Sequence, residues 1–180
     1  MTTIQGSVQR EDGEQIPLLE LLRGPTLLLF TRHWGCMECS LLLAHIMPIL
    51  PTLADLDISV VVVGNGSAAG IAHFRNRYGL ECEVVTDPTL KVHGSAGLRR
   101  SYMGGAGPRA LWTLATGWAQ GHPNKMGDGD MWQQGAAILA DAQGQQLWRH
   151  DNTFLGDHAR RTDVLQAILV AAAKERPWHT

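Results

Sequence analysis

Two thiols three residues apart, in Trp34-Gly35-Cys36-Met37-Glu38-Cys39, carry the clearest chemistry of this 180-residue chain. If the stretch opens a helix, that spacing puts both sulfurs on one face, one turn apart, close enough for a disulfide. A thiolate so placed can attack a peroxide oxygen or a substrate disulfide, and the second thiol can then displace the product. Cys36 would sit where unpaired backbone N–H groups and the positive end of the helix dipole favour ionisation. Cys39, a turn further in, is suited to the resolving role. Arg32 and His33, just upstream, add positive potential, and Glu38 opposes it in part. Other readings stay open on spacing alone: half of a zinc site completed by scattered histidines, or two inert buried cysteines. The third cysteine, Cys82, lies at the edge of a strand, Cys82-Glu-Val-Val, and reads as a structural cysteine, with a second resolving thiol as the alternative.

The flanking elements fit this picture. Thr26–Phe30 is an apolar run bounded by turn signals, as in a strand buried on both faces. From Cys36 the apolar residues Leu41, Leu42, Ile46, Ile49 and Leu50 recur at helical spacing, with kinks expected at Pro48 and Pro51. Before them, Ile4–Val8 and Gln15-Ile16 flank a Glu11-Asp12-Gly13 turn, and Pro17–Gly24 reads as a short helix. After them come a strand at Ile58–Val63, a helix at Ser67–Tyr78 capped by Ser67 and stopped by Gly79, a strand at Glu83–Thr86 and a short helix at Leu90–Ala96. Two strands at Gly135–Asp141 and Gln145–Asp151 form a hairpin, and Asp163–Ala173 is a last amphipathic helix. Strands alternating with helices give an α/β fold with a mostly parallel sheet, to which the hairpin adds antiparallel strands. The rhythm breaks at 102–132, a segment with seven glycines. Within it Pro108–Thr116 has helical spacing, and Trp112, Trp118 and Trp132 read as local core. A segment of this kind is expected to cover the Cys36 side of the sheet or to form a homodimer contact. One domain over residues 1–180 is expected.

Lys and Arg number 15 against 17 Asp and Glu, a formal net charge of −2, so a basic nucleic-acid footprint is not expected. Hydrophobic residues at 44% with 18% charged argue for a globule. The longest apolar runs, such as Ala167–Ala173, are too short to span a membrane, and the first residues lack a secretory pattern, so a cytoplasmic location is expected. In such a reducing compartment a close cysteine pair is catalytic or metal-binding more often than structural.

The stretch Leu28-Leu-Phe-Thr-Arg-His-Trp-Gly-Cys-Met-Glu-Cys39 resembles the peroxiredoxin-like branch of the alkyl hydroperoxide reductase/thiol-specific antioxidant (AhpC/TSA) family. Further matches follow in order: Val61-Val-Val-Gly64 with Gly66, Thr86-Asp87-Pro88, Gln134-Gly135 opening a strand, and Phe154-Leu-Gly-Asp-His158. The resemblance implies a thioredoxin-like fold, a central mixed sheet flanked by helices, with a Cys36/Cys39 redox pair. It implies Thr31, Arg32, His33, Trp34, Gln134 and Gly135 as supporting residues. It also implies a peroxide or small disulfide as substrate, a thioredoxin-type protein or glutathione as reductant, and no organic cofactor or metal. The chain departs from true peroxiredoxins, which carry Pro-x-x-x-Thr-x-x-Cys and a distant arginine. Here Leu29 and His33 take the first two positions, and Gln133 and Gln134 stand where the arginine is expected. A dithiol–disulfide oxidoreductase and a non-catalytic binding module therefore remain as alternatives.

Several other residues have two readings. Asp128-Gly-Asp130 is a glycine turn or a loose acidic metal loop, and Gly64-Asn-Gly66 is a tight turn or a phosphate loop. Asp157 caps the last helix or, with His158, lies near the redox centre. Arg149 pairs with a carboxylate.

Overall fold

In the computed structural model, residues 3–34, 36–101, 112, 115, 116, 119, 128–154 and 157–175 are described. Seven strands form one mixed sheet: β1 (Ser7–Gln9), β2 (Gln15–Pro17), β3 (Thr26–Phe30), β4 (Ser59–Gly64), β5 (Glu83–Thr86), β6 (Ala136–Ala140) and β7 (Gln146–Asp151), in the order β2-β1-β5-β4-β3-β6-β7. The pairs β3–β4 and β4–β5 are parallel. The pairs β3–β6 and β6–β7 are antiparallel, and the β1–β2 hairpin joins the opposite side of the sheet through Gln9 and Thr86. Helices are α1 (Met37–Ile46), α2 (Leu50–Asp55), α3 (Ala69–Tyr78), α4 (Lys91–Ser95) and α5 (Arg161–Glu175).

The period of two along each strand sorts the core into two layers. Leu27, Leu29, Val62, Ala137 and Leu139 face one side, where Leu42, Ile46, Leu53, Phe74, Val164 and Ile168 from α1, α2, α3 and α5 cover them. Leu28, Phe30, Val61, Val63 and Ile138 face the other, under Ile4, Val8, Leu18 and Leu22 of the N-terminal segment and Val92 of α4. This is why β3 is buried throughout, as its unbroken apolar run predicts. The mixed sheet with helices on both sides is the α/β thioredoxin-like architecture.

Several local expectations are corrected. Pro17 is the last residue of β2, paired with Ser7, and only Leu18–Leu21 turns, as a 3-10 helix. Burial of Leu18 and Leu22 in the second core, with the Leu18 N–H on the Gly6 carbonyl at 2.8 Å, overrides the helical pattern. Pro48 does interrupt α1, in a 3-10 turn at Met47–Ile49. Pro51 instead stands in the first turn of α2, where its missing N–H costs nothing. Ser67 does not cap α3, whose N-cap is Ala68; the Ser67 N–H and hydroxyl both serve the Asp128 carboxylate. Gly79 ends α3 in the left-handed region, φ 60°, as expected. Asp157 is not a helix cap: it accepts from Thr153 N at 2.9 Å and Thr153 Oγ1 at 2.6 Å and pairs with His150 Nε2 at 3.1 Å, closing the turn after β7. Trp112 is 74% exposed rather than core. It is helical, as are Ala115 and Thr116, while Leu111, Leu114 and Trp118 lie outside the described residues.

The two ends of the 102–132 insertion are pinned side by side. Ser101 N–H donates to the Trp132 carbonyl at 2.8 Å, Gln134 N–H to the Arg99 carbonyl at 3.1 Å, and Arg100 pairs with Asp130 at 2.6 Å. Asp128 and Gly129 form a bend, with Gly129 at φ 116°, and the turn itself follows at Met131 and Trp132. Among the described residues, no group of three His, Cys, Asp or Glu side chains could hold a metal ion, and no helix is long and apolar enough to cross a membrane.

Candidate active site

Strands β3 and β4 run parallel with Phe30 opposite Val63, so the loops that follow them lie next to each other at the carboxyl ends of the strands. Ligands of open α/β sheets collect at this edge. Thr31, Arg32, His33 and Trp34 fill the loop after β3, all buried. Cys36 then stands at the N-cap of α1 with extended backbone, and Cys39 lies in the first turn. The Cys36 N–H donates to the His33 carbonyl at 3.0 Å, and the Cys39 thiol lies 3.9 Å from the same oxygen. One carbonyl thus gathers both cysteines.

The two side chains meet. A hydrogen bond from Cys39 holds the Cys36 thiol well below its ordinary range, helped by a hydrogen bond from His33 and the positive charges of Arg32 and His33. Burial acts in the opposite sense and is outweighed. Both cysteines are only 2% exposed. A crevice lined by Phe30, Thr31, Arg32, Cys39, Leu42 and Asn152 reaches Cys39 and is too tight for a water molecule. Cys82 is half-buried, and burial pushes its thiol up, the behaviour of an unreactive cysteine.

The supporting residues predicted from sequence divide into two groups. His33 and Arg32 act directly on Cys36. The Arg32 guanidinium also donates to the Met131 carbonyl, at the end of the insertion. The Thr31 hydroxyl donates to the Val63 carbonyl at 3.4 Å, which ties it to β4. Gln134 donates to the carbonyls of Ser101 at 3.2 Å and Trp132 at 3.4 Å, so it clasps the neck of the insertion. Gly135 is glycine because β3 passes too near: an added Cβ would stand 2.6 Å from the Phe30 carbonyl oxygen.

Two arrangements near the site were not foreseen. The Trp34 ring lies against Gly64, Gly66 and Gly70, with its Nε1–H on the Ser67 carbonyl at 3.0 Å. The parallel register of β3 and β4 was the available signal. Asp87 and His93, both fully buried, pair at 2.9 Å beneath β3, where the His93 ring meets Phe30 edge-on at 5.1 Å. Nothing in their spacing points to that burial. Phe154, Asp157, His158 and His45 line a separate cleft between α1 and the start of α5, with the His45 and His158 rings 4.5 Å apart.

Residues 46–153 match the family model described as AhpC/TSA antioxidant enzyme. The match covers more than half of the chain and begins after the cysteine pair. Over 175 residues the chain is 26% identical to the prostamide/prostaglandin F synthase of Salmo salar, covering 92% of this chain and 86% of that protein. Among solved structures it is similar to Peroxidoxin BcpB from Mycobacterium tuberculosis, with a TM-score of 0.67, 16% identity and coverage of 96% and 95% of the two chains. It is likewise similar to the thiol peroxidase from Chromobacterium violaceum, with a TM-score of 0.68, 14% identity and coverage of 98% and 87%. The chain belongs to the AhpC/TSA antioxidant enzyme family. It is a thiol-dependent oxidoreductase on a thioredoxin-like fold.

Proposed function

We propose that this enzyme reduces a peroxide through Cys36 and Cys39. The Cys36 thiolate attacks one peroxide oxygen, the O–O bond breaks, and the leaving oxygen departs as water or an alcohol after taking a proton. Cys36 is left as sulfenic acid. The Cys39 thiolate then attacks the Cys36 sulfur, the S–O bond breaks, and the hydroxide leaves as water after taking a proton, closing an intramolecular disulfide. An external dithiol or two glutathione molecules return the electrons by exchange through a mixed disulfide. A reducing compartment such as the cytoplasm suits the cycle. Because the salmon relative is named a prostamide/prostaglandin F synthase, precursors of prostaglandin-type lipids belong among the substrates to be tested.

The observation that carries this reading is the placement of Cys36 at the N-cap of α1 with Cys39 in the first turn, both drawn to the His33 carbonyl, an arrangement that favours the Cys36 thiolate. The described end of the insertion, Asp128–Trp132, lies against Trp34 and Arg32, which favours a cover over Cys36 rather than a homodimer contact. A second reading, dithiol–disulfide exchange without peroxidase activity, draws support from Thr31. Its hydroxyl is spent on Val63, and no arginine stands at Gln133 or Gln134 to orient a peroxide. Stopped-flow consumption of hydrogen peroxide and an organic hydroperoxide separates the two. The first reading predicts turnover that Cys36→Ser abolishes. Reduction of a model disulfide with no peroxide consumption would establish the second.

A further inference from the structure

The turn after β4 has a role that neither a phosphate loop nor a plain tight turn describes. Gly64, Gly66 and Gly70 surround the Trp34 indole so closely that a methyl group on any of them would overlap the ring. Phe74 closes the floor at 4.6 Å between ring centroids. The indole Nε1–H donates to the Ser67 carbonyl at 3.0 Å, and the Trp34 backbone N–H donates to the Asp128 carbonyl at 3.0 Å. Asp128 is itself held by the Ser67 N–H at 2.6 Å and by the Ser67 hydroxyl. Asn65 fastens the next residues, accepting from Asp130 N–H at 3.1 Å and donating to its carbonyl at 3.2 Å. Trp34 sits inside the turn in which Cys36 N–H reaches the His33 carbonyl.

We propose that Gly64, Gly66 and Gly70 form a socket for Trp34, and that Trp34 is the positioning residue that holds Cys36 against Cys39 and His33. The inference rests on Cys36 being the reactive thiol of the proposed cycle, and it adds that the end of the insertion latches the socket from above. Displacing the indole carries the loop away from α1 and separates Cys36 from the donors that favour its thiolate.

Gly70→Ala is the decisive variant because two expectations oppose each other. Gly70 is helical with no positive φ, so alanine should stabilise α3 by ordinary helix propensity. The socket requires the opposite, since the new methyl overlaps the indole. The measurement is the pH dependence of iodoacetamide labelling at Cys36, followed by mass spectrometry on the full-length reduced protein. Labelling needs neither peroxide nor reductant, so its result is independent of whether peroxide is turned over. The expected outcome for Gly70→Ala is an upward shift of the midpoint by about one pH unit, a roughly ten-fold loss of thiolate at lower pH. Trp34→Ala should give a similar shift. In a Trp34→Ala background, Gly70→Ala should add nothing, because the ring it would strike is gone. An unchanged midpoint in folded Gly70→Ala would overturn the proposal. So would a full additional shift in the double variant.

Discussion

At the scale of single residues, the account turns on why a buried thiol ionises. Burial alone would keep Cys36 protonated, yet the Cys39 and His33 hydrogen bonds and the Arg32 and His33 charges outweigh it. Because the folded state lowers this pKa, it favours the thiolate. Ionisation therefore stabilises the reduced protein as pH rises from the lowered value toward the ordinary thiol value, and the contribution disappears as pH falls through the lowered value. Reduced wild type should accordingly gain stability over Cys36→Ser across that window in urea titrations, and a constant difference would contradict the assignment. Arg32→Gln should raise the Cys36 labelling midpoint by about half a pH unit, since one of several favourable contributions is removed. No change would mean that the guanidinium serves only the Met131 carbonyl.

At the scale of elements, the segment after β5 shows how the sheet is braced beneath the site. Asp87 accepts from His93 N–H at 2.9 Å, Lys91 N–H at 3.2 Å and Thr89 Oγ1 at 3.0 Å, besides pairing with the His93 ring. Burial pushes its carboxyl up, but the His93 and Thr89 hydrogen bonds outweigh that and hold it below the usual carboxylate range. A lowered carboxyl stabilises the fold above the ordinary carboxylate pKa and loses that contribution as pH falls through the lowered value. Asp87→Asn should cost about 2 kcal/mol at neutral pH and flatten the acid side of the stability profile, as read by denaturant unfolding at several pH values. An equally steep acid limb in the variant would show that other carboxylates dominate it. The end of α3 offers a second check: Gly79 has φ 60° with open space where a Cβ would stand, so Gly79→Ala should cost about 1 kcal/mol from backbone conformation alone. A neutral substitution would mean that the turn relaxes.

At the scale of the whole molecule, the two core layers share one sheet: neighbouring residues of β3, such as Leu28 and Leu29, face opposite sides of it. A single domain over residues 1–180 is proposed on that basis, and it predicts one cooperative thermal transition in which the far-UV and near-UV circular dichroism signals are lost together. Two separated transitions would contradict it. Much of this architecture was legible in the sequence, because β3, β4 and β6 are apolar on both faces and their runs stand out whatever surrounds them. The cysteine pair was legible for a similar reason, its spacing being local. What escaped was long-range. Pro17–Gly24 follows a helical pattern, yet the hairpin packing of Leu18 and Leu22 governs it. Ser67 and Asp157 are good cap residues, but the Ser67 hydroxyl serves the Asp128 carboxylate, remote in sequence, and the Asp157 carboxylate closes the turn after β7 with Thr153 and His150. The glycine socket depends on a tryptophan some thirty residues away, brought near only by the parallel pairing of β3 with β4.

The central claim is that Cys36 and Cys39 act as one redox unit, and mass spectrometry of alkylated protein after one equivalent of peroxide tests it most directly. Wild type should lose both thiols together as an intramolecular disulfide, and Cys39→Ser should stop at a sulfenic acid or mixed disulfide on Cys36. Oxidation of Cys36 straight to sulfonic acid in wild type, with Cys39 still free to alkylate, would contradict the account.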